Sequence, residues 1–204
     1  MTTRFYLIVT AFALLAFFWL ACPSERAAGN PLKNIKLDEV EVTPEFQRAM
    51  DYYHQEDYEK ALSTFKEAAD KNDIQAIIQI GLMYDFGKGV KQDYKIAMKW
   101  YMKAAEKGDA GGMYLVGHMY EFGEGMNVDP GKAFEWYVKS ARMGNSIAQF
   151  EVGRILLNEN IDGKSHAEGI AWLKIAAGQC HHQARKLLQS VAADQYDPNA
   201  CPDE

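Results

Sequence analysis

The chain has 204 residues, 48% of them hydrophobic and 25% charged, with a formal net charge of −6. Those fractions describe an ordinary globular chain and exclude a disordered one. Lys and Arg are interspersed with acids and never clustered, which argues against nucleic acid or anionic lipid as a partner.

The N-terminus comes first. Arg4 precedes Phe5 to Cys22, eighteen residues without a charge, and Pro23-Ser24-Glu25-Arg26 follows. A short positive end before an apolar stretch reads as an export signal. The stretch has no polar face, so it cannot be a half-buried helix of the folded part. It is also just long enough to span a bilayer as an uncleaved anchor. Leu20-Ala21-Cys22 resembles the end of a bacterial lipoprotein signal, with Cys22 the lipidated residue, although Trp19 stands where that pattern has a small aliphatic. Cleavage after Ser24 is the rival, so residues 1–24 are signal, lipoprotein signal or anchor. The expected location is the periplasm, with any membrane contact made through this segment alone. Residues 25–42 contain Gly29 and Pro31 without helical periodicity and form a tether.

From residue 43 the pattern changes. Trp100, Trp136 and Trp172 stand 36 residues apart, as do Gly81, Gly117 and Gly153, and Ala105, Ala141 and Ala177. Self-similarity at one such period signals stacked helical hairpins, each burying its face against a neighbour. In each row a first helix carries small residues at Ala76/Gly112/Ala148 and Gly81/Gly117/Gly153, framed by Ile80/Val116/Val152 and Tyr84/Tyr120/Leu156. A repeated glycine inside a helix costs about 0.5–1 kcal/mol against alanine and implies close approach of a partner helix. Gly87/Gly89 and Gly123/Gly125 end the first helices of rows two and three. Row four has Glu159 and Ile161 in those places and a different loop is expected.

The second helices begin at Asp93, Asp129 and Ser165, all residues whose side chains accept from first-turn amides. Pro130 takes the first helical position, and Ser165 with Glu168 makes a capping box. The tryptophans and Tyr101/Tyr137/Leu173 follow. In-register aromatics beside Ala and Gly place the indoles in the core. Row one is a variant: Ala49, Tyr52, Tyr58, Ala61, Phe65 and Ala68 fit a 34-residue spacing with a tighter turn, capped by Thr43-Pro44. After row four, Gln183 to Leu188 begins one unpaired helix with Gln183, Arg185, Lys186 and Gln189 outward, a terminal cap. Residues 43–193 are therefore one repeat domain, and 194–204 a tail.

The run from Ala76 through Gly81, Tyr84, Gly87, Gly89, Asp93, Ala97, Trp100-Tyr101 and Ala104-Ala105 to Gly108 resembles the Sel-one-like repeat, a longer relative of the tetratricopeptide repeat. The resemblance spans residues 42–193 and is weaker in row four's loop and row one's first helix. It implies an all-α, right-handed superhelix of four hairpins plus a C-terminal capping helix. It also implies adaptor roles in bacterial envelope assembly, signalling and host contact.

Chemistry has little support in the sequence. No nucleophile has a recognisable base nearby, and Gly87-Lys88-Gly89 recurs as Gly123-Glu124-Gly125, where an acid would repel phosphate. Members of the family have been discussed as penicillin-binding or β-lactam-hydrolysing, but no serine-lysine motif of that kind stands here. Cys180-His181-His182 is the one cluster of metal-ligand type, and its adjacent histidines would point apart. With Cys22 lipidated or removed, Cys180 and Cys201 are expected to pair in an oxidising compartment. No catalytic residue, metal or cofactor is expected.

What varies between rows is left for partners. On the first helices these positions are Gln79, Leu82 and Phe86, then Leu115, His118 and Phe122, then Glu151, Arg154 and Asn158. They are expected to form one concave groove with an apolar floor and charge at the fourth hairpin, holding a protein or peptide segment. The reading is a non-enzymatic adaptor. The alternatives are a cell-wall enzyme or metal protein using Cys180–His182, and a structural spacer without a peptide groove.

Overall fold

The computed structural model describes residues 43–158 and 163–192, less the side chains of 163–165. The expected signal, tether, fourth-hairpin loop and tail, with Cys22 and Cys201, lie outside the described residues. Among those described, all regular structure is helical: α1 Pro44–His54, α2 Tyr58–Asp70, α3 Ile74–Phe86, α4 Tyr94–Glu106, α5 Ala110–Phe122, α6 Pro130–Arg142, α7 Ser146–Asn158, α8 Gly163–Gly178 and α9 His182–Val191. The architecture is an all-α solenoid of hairpins, as the 36-residue period requires. The helices group into two compact units, α1–α6 within Leu37–Asn145 and α7–α9 from Ser146 onward.

Local chemistry sets the helix starts. Thr43, Asp57, Asp73, Asp93, Asp109 and Asp129 each accept a first-turn amide, at 2.6 Å for the Gly112 N–H on Asp109 and about 3.0–3.3 Å elsewhere. Thr43 also donates its hydroxyl to Asp73 at 2.6 Å, joining the starts of α1 and α3. Pro44 and Pro130 stand at the opening of α1 and α6. α8 departs from expectation. It begins at Gly163, so Ser165 lies inside the helix instead of before it. Gly163 and Lys164 continue helical backbone ahead of Ser165, adding part of a turn at an end where boundaries shift by one or two residues.

In the α1–α6 unit the packing follows small residues. A methyl at Gly81 would lie 2.5 Å from Tyr101 Cε1, and one at Gly117 2.7 Å from Tyr137 Cδ1. The tyrosine rings therefore pack directly against bare backbone, and each is fully buried. Gly112 likewise brings α5 onto Ala104. Ser140, in the Ala104 column, is buried and donates its hydroxyl to the Ala110 carbonyl at 2.6 Å.

The tryptophans correct the expectation. Trp100 and Trp136 are half-buried, packed against clusters around Phe65 and around Tyr101 respectively. Each carries a lysine ammonium over its ring, Lys103 at 5.0 Å and Lys139 at 3.9 Å. The reason is helical phase. Successive residues are about 100° apart, so only one of a Trp-Tyr pair can face the glycine seam. The seam is narrow, and the smaller ring takes it.

The loops add a second contact. Gly89 and Gly125, both with φ near 70°, bring their loops against the Cβ atoms of Tyr58 and Tyr94, which open α2 and α4. Each loop thus rests on the second helix of the preceding hairpin.

In the α7–α9 unit, Leu173, Ala176, Ala184 and Leu188 are buried together, and Gly153 admits the Leu173 side chain. α9 covers this cluster, with Gln183, Lys186 and Gln189 exposed as a terminal cap requires. Arg185 is half-buried, against expectation.

Candidate protein-binding face

α3 and α5 are nearly free of charge. Asp85 is the one Asp, Glu, Lys or Arg on α3, and Glu121 the one on α5. With no charged face to give to solvent, both helices bury one side and leave apolar groups on the other. Phe86 and Phe122, one period apart, are 67% and 60% exposed. Each is the last residue of its helix, held there by the left-handed glycine that follows, Gly87 or Gly123.

The other expected residues lie deeper. Leu82 and Leu115 are half-buried and pack against the cluster of Ala97, Tyr101, Ala105, Val116 and Met119. They support the face more than they open onto it. Gln79 is half-buried. His118 sits between two rings on α5, its centroid 6.2 Å from Tyr114 and 4.5 Å from Phe122. Its Nδ1 is 3.5 Å from Glu124 Oε2.

Sequence reasoning passed over the carboxylates beside this face. Tyr101 donates its hydroxyl to Asp85 at 2.9 Å, and Tyr137 donates to Glu121 at 2.6 Å. The signal was present, since both pairs are separated by 16 residues and recur at one period. In the fourth hairpin Leu157 and Leu173 replace the acid and the tyrosine together, and both belong to the apolar cluster there. Burial, then the charges of Asp85 and Glu124, push the Tyr101 hydroxyl far above its ordinary value, so it stays a donor. Glu124 Oε2 is buried and accepts no hydrogen bond.

In the α7–α9 unit, Arg154 Nε meets Glu151 Oε2 at 2.6 Å, so the charges expected at the fourth hairpin bind one another. Asn158 is exposed.

The Cys180–His182 cluster is put to other uses. Cys180 is disulfide-bonded, and the remaining cysteines, Cys22 and Cys201, both lie outside the described residues. Its backbone has φ 60°, in the column where Asn72, Gly108 and Gly144 have φ 67°, 83° and 93°. His181 occupies the column of the capping aspartates: its Nδ1 accepts the Ala184 N–H at 3.2 Å, and its ring stacks on Phe150 at 5.1 Å. Burial, then the neighbouring His182, holds its pKa below the usual histidine value. His182 is exposed. Among the described residues, no three His, Cys, Asp or Glu side chains converge as metal ligands.

The Sel1 repeat family model matches residues 74–109, 110–145 and 146–179, and the chain belongs to that family. Two of the solved structures similar to it are these. One is a Sel1 repeat protein from Oxalobacter formigenes, with 27% identity, a TM-score of 0.66, and coverage of 74% of this chain and 63% of that one. The other is a protective antigen present in uropathogenic Escherichia coli strains and displaying an SLR fold. It shows 27% identity, a TM-score of 0.64, and coverage of 76% of this chain and 35% of that one. The chain thus spans less than two thirds of either. No curated protein matches the sequence. Sel1 repeat proteins are typically protein-interaction adaptors and generally not enzymes.

Proposed function

We propose that this protein is a non-enzymatic adaptor of the bacterial envelope that holds a protein or peptide segment on the face of its first helices. One observation carries the reading: Phe86 and Phe122, aromatic side chains at equivalent positions of successive repeats, both stand largely in solvent. Folding buries the smaller part of each phenylalanine, whereas a partner would bury the rest. Family membership supports a protein partner. Export to the periplasm is supported by the uncharged stretch Phe5–Cys22 behind Arg4, and by the disulfide at Cys180, since such bonds persist in oxidising compartments.

The test is crosslinking in cells from a photoreactive residue placed at position 86 or 122, with Glu135, exposed on α6, as the control position. Discrete adducts from 86 and 122 and none from 135 are expected. Equal adducts from all three positions, or none, would favour a spacer without a peptide-binding face. Recovery of the protein in the cytoplasmic fraction would overturn the envelope assignment alone.

A further inference from the structure

Acidic groups gather beside the exposed rings of the α1–α6 unit. Asp85 accepts the Tyr101 hydroxyl at 2.9 Å, and the loop that carries Glu124 rests through Gly125 on Tyr94. The Tyr94 hydroxyl and the Asp85 carbonyl both accept from the Gln92 amide, at 3.0 and 2.6 Å, so the two carboxylates lie on one side of the unit. Neither α3 nor α5 carries a lysine or arginine to balance them. Lys88, on the loop after α3, places its ammonium over the Tyr58 ring at 5.5 Å. Glu124 Oε2 is withdrawn from solvent and accepts no hydrogen bond, with His118 Nδ1 standing 3.5 Å away, while the Glu124 side chain as a whole keeps 26% of its surface exposed. A buried carboxylate oxygen without a donor is unfavourable until something supplies one.

The surroundings define what would fit. His118 and Phe122 present ring faces next to Glu124, with centroids 4.5 Å apart, and Phe86 directly follows Asp85. Carboxylates beside aromatic faces are complementary to a guanidinium, which offers a planar fork of donors and stacks on rings. An anionic lipid or nucleic acid would meet like charge here. We propose that the α3–α5 face docks a protein segment in which an arginine stands next to apolar side chains. Its guanidinium pairs with Glu124 and Asp85 against the His118 and Phe122 rings, and its apolar neighbours rest on Phe86 and Phe122. This rests on the adaptor reading above and adds the chemistry of the partner.

The experiment is selection of a random displayed peptide library on the full chain, run in parallel on Glu124→Gln and on the double variant Phe86→Ser/Phe122→Ser. Recovered peptides should combine arginine with adjacent aliphatic or aromatic residues. A recovered peptide should then bind Glu124→Gln roughly tenfold more weakly by fluorescence anisotropy, as should its citrulline version on the native chain. Peptides that need Phe86 and Phe122 but contain no basic residue, or that are indifferent to Glu124→Gln and citrulline, would overturn the arginine assignment and leave the adaptor face standing. No enrichment, or enrichment that survives the double phenylalanine variant, would overturn both. Glu124→Gln keeps the size of the side chain, and an unchanged melting curve identifies any lost binding as a loss of charge.

Discussion

The ring of Tyr101 lies directly across the backbone of Gly81, where a single added methyl would come within 2.5 Å of Cε1. Gly81→Ala must push a fully buried ring, and the expected loss is about 1–3 kcal/mol. Gly131→Ala is the matched control. Gly131 is exposed in the first turn of α6, and a methyl there meets Asp129 Oδ1 at 3.6 Å, an ordinary contact. It should be neutral or stabilise by up to about 1 kcal/mol. Chemical denaturation of both variants checks the contrast, and equal losses would contradict close approach as the reason for Gly81.

Tyr101→Phe should cost about 1.5–3 kcal/mol, because the Asp85 carboxylate loses its buried donor. The fourth hairpin holds Leu173 and Leu157 in these columns, an apolar solution to the same position. The double variant Tyr101→Leu/Asp85→Leu should therefore cost less than its two single changes added. A double-mutant cycle with no coupling would refute the pairing.

Truncations within one Trp-Tyr pair should rank by depth. Tyr137→Ala, at a fully buried position, is expected to cost about 3–5 kcal/mol. Trp136→Ala, half-buried with Lys139 over its outer face, should cost less, about 1.5–3 kcal/mol. The opposite order in urea titrations would return the indole to the core.

His181 gives the fold a pH dependence of defined sign. Its Nδ1 accepts the Ala184 amide only when unprotonated, and its folded pKa is lowered. The unfolded chain then binds the proton more readily, so the cap's contribution is complete above about pH 6.5 and is lost as pH falls through the folded value. His181→Asn keeps a capping side chain without titrating there. The difference between the two stability profiles should open below about pH 6.5, and parallel profiles would refute this role.

Cys180 holds a left-handed backbone where two other hairpins have glycine, at a strain of about 1–2 kcal/mol. In reductant, Cys180→Gly should melt higher than the native chain. In oxidant it should melt lower, because the disulfide is gone. A shift of the same sign under both conditions would contradict this account.

Periodicity made the hairpins, the capping aspartates and the Gly81 and Gly117 seams readable, because a column that repeats answers a requirement every hairpin shares. It could not tell which member of Trp136-Tyr137 faces the seam, since neighbours on a helix repeat at the same period and differ only in phase. Phe86 and Phe122 were readable as variable-face residues, but the depth of Leu82 and Leu115 depends on packing between α3, α4 and α5. The pairing of Glu151 with Arg154 was visible as an i, i+3 spacing. The buried Glu124 oxygen had no signal, because it sits on a loop that folds back upon the preceding hairpin, a contact between hairpins that no period encodes.

That folding back leaves a mark on how the array can grow. Tyr58 and Tyr94 offer identical seats to Gly89 and Gly125, while Pro130 stands at the next such place. A duplicate of residues 74–109 spliced in after Asp109 would find a matching seat on both sides. The junction between the second and third hairpins is thus where whole modules can be inserted, a register of extension written in tyrosine.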